Sequence, residues 1–432
     1  MQRKPEKPSF MKEDFMYYLW ENRLLSNNLS TTDGREVVIL KPGNRNTNSG
    51  PDFVDARIKI GDALWAGNIE MHVLASDWFR HGHQDDEAYE NVVLHVVNEC
   101  DTDRLCIPTI EISGKYPLDI YRHYESFVQS QRWIPCEKLL GEVHNFTWMS
   151  WLERLAIERL ESQCDVVMSR LESMRYDWEE VFYQFLMRYF GLKTNNEAFE
   201  RLAVMLPLRQ ILKQVDNKLQ TEALLFGAAG FLESGSVEPY QTLLRREFGV
   251  LRQKFNIIPM QSSQWKFLRM RPVNFPTLRI AQIAALFHQN GVFFHTIRDS
   301  PELSDIRNLF DVNVSEYWNT HYIFGKESVF YEKKIGDIVI NTLIINAIVP
   351  LLFCYGKYYG LNKFTDRALS LLEETATENN AVIRKFCEKG IGAVNSLQSQ
   401  GLMRLYEYYC RRRRCLECRI FFILTSKKEV VE

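Results

Sequence analysis

Apolar and polar residues alternate along the first 115 residues in patterns that predict a small sheet flanked by helices. Apolar side chains recur at helical spacing in Glu13–Leu25. Phe53–Ile60 alternates between apolar and polar residues from Val54 onward and predicts a half-buried strand. Gly61-Asp62 then predicts a turn, Leu64–Leu74 the returning strand, and Ser76–Tyr89 a short helix. Further strands are predicted at Glu36–Leu40, Asn91–Asn98 and Thr109–Ile112.

The pattern changes near residue 145, where helical periods take over and continue toward the C-terminus. We therefore predict an α+β domain with a mixed sheet over residues 1–125, followed by an all-α helical domain over residues 126–432. The most apolar segment, Ile338–Tyr355, contains Asn341, Asn346 and Pro350 and is short for a membrane span. It predicts a buried helix, and we expect no membrane association.

Charge is distributed unevenly between the two predicted domains. Residues 1–130 contain 14 Lys and Arg against 21 Asp and Glu, whereas the remainder contains 39 against 34. An acidic domain joined to a mildly basic one suits a carboxylate-rich site served by a partner surface. The first residues lack the apolar run of a signal peptide, and the nine cysteines are unevenly spaced. We therefore expect a cytoplasmic protein with reduced thiols.

The segment with the most chemical information runs from Gly50 to His72. Seventeen residues separate Asp52, at the start of one predicted strand, from Glu70, late in the returning strand. A regular two-residue turn would pair position 52 with Met71 and put Glu70 on the opposite face. A three-residue connection or a bulge would bring Asp52, Glu70 and His72 together. The alternation does not choose between these registers, but a shared metal requires the second.

This segment resembles the PD-(D/E)XK nuclease superfamily over about residues 10–115, through the order of elements and through Pro51-Asp52 followed by Glu70-x-His72. The resemblance implies a restriction-endonuclease-like fold. It also implies that Asp52 and Glu70 hold Mg²⁺ or Mn²⁺, assisted by a helical acid, Glu13 or Glu21. His72 stands where the superfamily usually has Lys. A neutral imidazole accepts a proton but supplies no fixed charge.

Over its whole length the chain also resembles a bacterial family known as domain of unknown function 2851. The resemblance rests on short segments spread along the sequence: residues 48–53 (NSGPDF), 67–72 (GNIEMH), 76–78 (SDW), 222–227 (EALLFG), 271–276 (RPVNFP) and 415–418 (CLEC). It implies no particular activity.

A second cluster of candidate ligands follows the returning strand. His81-Gly82-His83 has two imidazoles at i, i+2, with Asp85, Asp86 and His95 nearby. With His72, these histidines fit a zinc or manganese hydrolase site completed by acids. The alternatives are a solvated surface turn or a contact for a substrate phosphate.

Three cysteines near the C-terminus, Cys410, Cys415 and Cys418, have the spacing of thiolate ligands for zinc or an iron–sulfur cluster. Such a centre needs a fourth ligand, and Cys136, which follows Pro135, is the best candidate. Some PD-(D/E)XK nucleases combine one upstream and three downstream cysteines, and the layout here is similar. The alternative is three ordinary thiols on a terminal amphipathic helix, with Arg411–Arg414 as a solvated basic run.

Basic residues alternate with aromatic ones between positions 265 and 279. Lys266, Arg269, Arg271 and Arg279 are interleaved with Trp265, Phe267 and Phe275. This composition suits a nucleic-acid strand, because cations pair with phosphates and aromatic rings stack on bases. A domain interface would have the same composition.

Two functional hypotheses follow. The first is a metal-dependent nuclease that hydrolyses phosphodiester bonds of nucleic acid, with Asp52 and Glu70 as ligands and His72 as base or orienting group. The second is a non-catalytic scaffold that binds nucleic acid or protein and retains a degenerate nuclease-like domain. Convergence of Asp52, Glu70 and His72 in one cleft would favour the first.

Overall fold

The computed structural model describes residues 11–233, 238–291, 294–300 and 302–426. Within these ranges the chain forms two units. Unit 1 consists of residues 11–145 and 406–426, and unit 2 of residues 146–405. The division differs from the expected boundary between residues 125 and 126. The C-terminal tail, which we expected in the helical domain, belongs to unit 1.

Unit 1 is built on a mixed seven-stranded sheet, as the alternation predicts. Its strands have the order β1-β2-β4-β5-β6-β7, and β3 pairs only with β4. Pairing is antiparallel from β1 to β5 and parallel from β5 to β7. The bounds are β1 Leu29–Ser30, β2 Glu36–Lys41, β3 Asn44–Arg45, β4 Phe53–Ile60, β5 Ala63–Leu74, β6 Val92–Glu99 and β7 Thr109–Glu111. The two shortest strands, β1 and β3, were not predicted.

A bulge in β4 sets the register of the central hairpin. Next to the turn the pairing is regular, with Ile60 opposite Ala63 and Ala56 opposite Gly67. Beyond Ala56 the register shifts, and Phe53 lies opposite Ile69. Asp55 occupies the bulge with a positive φ of 58°, so β4 contributes one more residue than β5 at this point. The bulge thus supplies the register that a shared site for Asp52 and Glu70 requires.

Three helices of unit 1 precede the tail: α1 Glu13–Glu21, α2 Asp77–Arg80 and α3 Leu118–Val128. The predicted helix from Ser76 to Tyr89 is helical only in α2, which two 3₁₀ turns follow. Buried aromatic side chains fix α1 against α3, since the Phe15 ring lies 5.2 Å from the Tyr121 ring and 5.1 Å from the Tyr124 ring. The opposite side of α1 is directed toward the sheet.

Unit 2 is largely helical, as predicted. Its helices are α4 Asn145–Ser173, α5 Trp178–Phe190, α6 Leu192–Met205, α7 Leu208–Leu212, α8 Lys218–Ala228, α9 Pro239–Phe255, α10 Pro276–Asn290, α11 Phe294–Asp299, α12 Leu303–Leu309, α13 Glu316–Asn319, α14 Asp337–Leu343, α15 Val349–Tyr359, α16 Asn362–Glu374, α17 Ala381–Glu388 and α18 Ser396–Arg404. A short hairpin of β8 His321–Ile323 and β9 Lys326–Glu327 corrects the all-α expectation.

Within the described residues, one helical segment, Asp337–Tyr359, is long and apolar enough to cross a membrane. It consists of α14, a π-helical stretch and α15. The protein buries 72% of its most apolar stretch. The segment is therefore mostly buried, in agreement with the buried helix predicted here.

The tail returns to unit 1 through a π-helical stretch, Leu405–Cys410, a 3₁₀ turn, Cys415–Glu417, and α19, Arg419–Ser426. Aromatic contacts fix α19 in place. The Phe421 ring lies 5.3 Å from the Tyr18 ring of α1 and 5.5 Å from the Phe127 ring of α3. The tail is therefore part of the core of unit 1.

Candidate metal centre

Asp52 lies immediately before β4, and its carboxylate is held by two donors. The Tyr17 hydroxyl donates to Oδ1 at 2.8 Å, and the backbone amide of Met71 donates to Oδ2 at 2.9 Å. The backbone amide of Asp52 in turn donates to Oε2 of Glu70 at 3.2 Å. The bulge therefore brings Asp52 next to Glu70. Burial raises the pKa of Asp52, although the hydrogen bonds from Tyr17 and Met71 act in the opposite direction.

Glu70 and His72 project from the same face of β5 because they are two residues apart. Both are buried, at 5% and 2% exposure, whereas Met71 between them points into the core. Burial and the nearby carboxylates of Asp52 and Glu13 raise the pKa of Glu70 to about 8. Without a cation, Glu70 is therefore mostly protonated at neutral pH.

His72 lies between two further histidines. Its Nδ1 lies 2.8 Å from Nε2 of His95, and its Nε2 lies 3.1 Å from Nδ1 of His81. Nε2 of His72 is also 3.5 Å from Oε1 of Glu70. Burial and the surrounding imidazoles lower the pKa of His72 to about 2, and burial lowers that of His95 to about 3. His72 is therefore neutral and does not replace the positive charge of a lysine.

The remaining imidazole, His83, completes a compact group of nitrogen donors. One ring nitrogen from each of His72, His81 and His83 can be chosen so that all three lie within 4.8 Å of one another. Nε2 of His83 also lies 3.3 Å from Oε1 of Glu70. The His83 ring stacks on Tyr89 with centroids 3.8 Å apart. These three histidines could hold a metal ion, and Glu70 is the carboxylate beside them.

The donor types indicate which ion would fit. Imidazole nitrogen suits zinc and other transition metals, whereas Mg²⁺ prefers an oxygen shell. His95 engages Nδ1 of His72, whereas Nε2 of His72 faces Glu70 and His81, so Nε2 is the nitrogen that could bind a metal ion. His81 is exposed, so the group opens to solvent on that side.

Of the other acids considered, Glu13 is directed toward this site. Burial and the charges of Asp52 and Asp77 raise the pKa of its carboxyl. Glu21 is exposed, and its charged neighbours are Arg45 and Glu417. The second-cluster acids make local contacts instead: Asp85 accepts from the Gln84 side chain, and Asp86 accepts from the Ala88 amide. The carboxylate beside the histidines is therefore that of Glu70, whereas we expected Asp85 or Asp86 in this role.

Two side chains that the sequence analysis did not single out also belong to the site. Tyr17 follows Glu13 by four residues on α1, and that helical spacing was the available signal. Arg45 on β3 places its guanidinium carbon 4.8 Å from the centre of the Tyr17 ring. Its charge opposes the rise in the pKa of Asp52 that burial causes. Arg45 is thus a cation of unit 1 close to the carboxylates.

The four expected cysteine ligands converge in unit 1. Cys136, Cys410, Cys415 and Cys418 line one small cavity, together with Phe127 and Phe421. Burial, and the charge that neighbouring thiols would carry, raise the pKa of Cys415 to about 12, whereas the Arg413 guanidinium acts in the opposite direction. All nine cysteines lie in the described ranges, and none of them forms a disulfide.

The predicted basic surface lies in unit 2 and is only partly exposed. Lys266, Arg269 and Arg271 are exposed. Arg279 is only 4% exposed and donates to Gln282 at 2.7 Å and to Asn274 at 2.8 Å. Its prediction as a substrate contact is therefore corrected, because the guanidinium is satisfied inside the unit.

The aromatic side chains of this segment also point inward. Trp265 is buried and donates from its indole nitrogen to the carbonyl oxygen of Ala229 at 2.8 Å. Phe267 and Phe275 pack on each other with ring centroids 5.1 Å apart. These aromatic residues therefore serve packing, which favours the alternative to a surface that stacks on nucleic-acid bases.

A family model described as "Protein of unknown function (DUF2851)" matches residues 13–381. The match includes the strands, Asp52, Glu70 and the four histidines, and it ends before the three C-terminal cysteines. Comparisons with curated proteins and with solved structures found no match.

Proposed function

The chain belongs to the DUF2851 family, whose description names no activity, and we propose from the site itself that unit 1 is a metal-dependent hydrolase of phosphodiester bonds in nucleic acid. One observation carries this proposal. The β4 bulge places the carboxylates of Asp52 and Glu70 next to a group of three imidazole donors on the same side of the sheet.

The proposed ligands are Glu70, His72, His81 and His83. Oε1 of Glu70 faces Nε2 of both His72 and His83. These donors favour Mn²⁺ or Zn²⁺ over the Mg²⁺ that the superfamily resemblance implies. A divalent ion bound there would act as a Lewis acid toward a phosphoryl group and lower the pKa of water.

The other residues of the site orient the Asp52 carboxylate, offer a positive charge and supply a further carboxylate. Tyr17 and the Met71 amide fix both oxygens of the Asp52 carboxylate, which therefore has one orientation toward the ligand group. Arg45 offers a guanidinium that suits a substrate phosphate. Glu13, at the first turn of α1, adds a further carboxylate with a raised pKa that can transfer a proton.

The nuclease assignment also draws on the order of elements. A helix, an antiparallel hairpin and a parallel strand follow each other in α1, β4, β5 and β6. This is the order on which the resemblance to the PD-(D/E)XK superfamily rests, and the resemblance assigns the metal-binding acids to Asp52 and Glu70. A restriction-endonuclease-like fold of unit 1 is part of the same proposal.

A cleavage assay with matched variants tests the proposed function. The full chain is incubated with single- and double-stranded DNA and RNA in Mg²⁺, Mn²⁺ or Zn²⁺. We expect Mn²⁺-dependent cleavage that Glu70→Gln and His81→Ala reduce by more than about a hundredfold. The controls Asp85→Asn and His123→Ala change an exposed carboxylate and an exposed imidazole of unit 1 outside the proposed ligand set. Absence of metal-dependent cleavage of all four substrates would favour the non-catalytic scaffold.

A further inference from the structure

Four thiols supplied by two distant segments of the chain meet in unit 1. Cys136 follows Pro135 after α3, and the other three lie at the end of the π-helical stretch and in the turn before α19. They line a single cavity whose other walls include Phe127 and Phe421. Cys410, Cys415 and Cys418 are buried, at 7–8% exposure.

The backbone around this cavity is held by contacts that point to a built site. Nη2 of Arg413 donates to the carbonyl oxygens of Ser130 at 2.7 Å and Arg132 at 3.2 Å. The Tyr406 ring stacks on Trp133 with centroids 5.0 Å apart. Arg413 itself has a positive φ of 57°, a conformation that costs a non-glycine residue energy. The tail is therefore turned so that its three cysteines line the same cavity as Cys136.

We propose that Cys136, Cys410, Cys415 and Cys418 hold a structural metal centre of four thiolates. Thiolate sulfur selects zinc or an iron–sulfur cluster. Both use four cysteine ligands. Metal binding releases the thiol protons to solvent, and the guanidinium of Arg413 offsets part of the resulting negative charge.

The centre would stabilise the tail within unit 1. Before α19 begins, the stretch from Tyr406 to Arg419 contains only the rest of the π-helical stretch and one 3₁₀ turn. A tetrathiolate centre would cross-link this stretch to the segment after α3, more than 270 residues earlier in the chain. Since a preformed site is absent from the unfolded chain, metal binding contributes directly to folding of the tail.

Metal analysis of the full chain, purified anaerobically, tests this inference. The His81→Ala/His83→Ala background removes ligands of the other proposed site, so that retained metal reports on the cysteines. We expect about one zinc per chain, or iron with about equal acid-labile sulfide. Cobalt replacement distinguishes thiolate ligands from imidazoles by sulfur-to-metal charge-transfer absorption. A zinc result and an iron–sulfur result both support the centre, and the sulfide assay separates them.

Single Cys→Ser substitutions at the four positions should remove the metal, whereas the matched control Cys106→Ser, an exposed thiol of unit 1, should retain it. Because a variant can fail to fold, alkylation of the wild-type chain provides a second measurement. We expect Cys106 and Cys387 to be alkylated at once, and the four ligand thiols only after a chelator is added. Metal content unaffected by the four substitutions, or alkylation unaffected by the chelator, would overturn the proposal. Neither result depends on cleavage activity.

Discussion

Tyr17 and Tyr18 are neighbours on α1, yet their hydroxyl groups bond on opposite sides of the helix. The Tyr17 hydroxyl donates to Asp52 at 2.8 Å, whereas the Tyr18 hydroxyl lies 3.1 Å from Oγ1 of Thr425 in the tail helix. Helix α1 therefore contacts both the carboxylate site and the segment that follows the cysteines. The pair also provides a matched comparison of two tyrosines on one helix.

Tyr17→Phe should weaken metal-dependent cleavage without unfolding the protein. The substitution removes one of the two donors that orient the Asp52 carboxylate, and loss of such an outer partner lowers metal affinity or activity by about 10- to 100-fold. We expect the free energy of unfolding to fall by about 1 kcal/mol. Tyr18→Phe should have a similar effect on stability and leave cleavage unchanged. Equal loss of activity in both variants would show that Tyr17 acts only through the fold.

Metal affinity should rise with pH up to about 8. The pKa of Glu70 is raised to about 8 by burial and by the charges of Asp52 and Glu13, so a bound cation must displace its proton below that pH. His72 stays neutral over the same range because its pKa is lowered to about 2. We expect affinity for Mn²⁺ to fall by about tenfold for each pH unit below 8.

Calorimetry of Mn²⁺ binding in buffers of different ionisation enthalpy measures the proton released. Glu70→Gln should abolish this proton release together with most of the affinity. Since glutamine resembles the protonated carboxyl, the metal-free variant should be as stable as the wild type at pH 7. A proton release that survives in Glu70→Gln would assign the titrating group elsewhere.

The bulge in β4 should depend on the left-handed backbone of Asp55. Asp55 is exposed and has a positive φ of 58°, so Asp55→Gly should preserve or slightly raise stability. Asp55→Val should destabilise the protein by about 1–2 kcal/mol, because a β-branched residue resists this conformation. Deletion of Asp55 would remove the extra residue of β4 and leave Asp52 opposite Glu70 in regular pairing. We expect a folded deletion variant to retain Mn²⁺ binding, whereas loss of binding would show that the site needs the bulge itself and not only the register.

Arg279→Ala should affect stability and not nucleic-acid binding. The guanidinium is buried and bonds to Gln282 and Asn274, so its removal leaves polar groups unsatisfied and costs about 2 kcal/mol in urea unfolding. Lys266→Ala and Arg271→Ala, which change exposed cations, should leave stability unchanged. Filter binding with labelled DNA and RNA measures affinity, and weaker binding by folded Arg279→Ala at temperatures well below its unfolding transition would contradict this assignment.

Much of unit 1 follows from the alternation of the sequence. The alternation within Phe53–Ile60 predicts β4 at its observed bounds, and the i, i+2 spacing of Glu70 and His72 predicts their common face. The register does not follow, because it depends on a bulge at Asp55, and aspartate is only moderately enriched in left-handed backbone. Local pattern therefore predicts which face each residue occupies relative to its neighbours but not how two strands are offset.

The other differences between prediction and structure concern where side chains and segments lie in the folded protein. The return of the tail to unit 1 depends on contacts such as that between Phe421 and Tyr18, which are about 400 residues apart, and helical periodicity carries no information about them. The burial of Arg279 was likewise not predicted, because its hydrogen-bond partner Gln282 is of a residue type that is usually exposed. A segment in which charged residues lie near aromatic ones predicts an exposed surface, and only the packing shows that Arg279 is buried.

The central claim is that Glu70, His72, His81 and His83 hold one divalent ion, and anomalous scattering from crystals grown with Mn²⁺ or Zn²⁺ tests it most directly. We expect one strong anomalous peak with metal–ligand distances of about 2.0–2.2 Å to Glu70 Oε1 and to the three imidazoles. The peak should disappear in Glu70→Gln crystals prepared identically. An ion found instead on Asp85 and Asp86, or no ion in a well-ordered site at saturating metal, would contradict the claim.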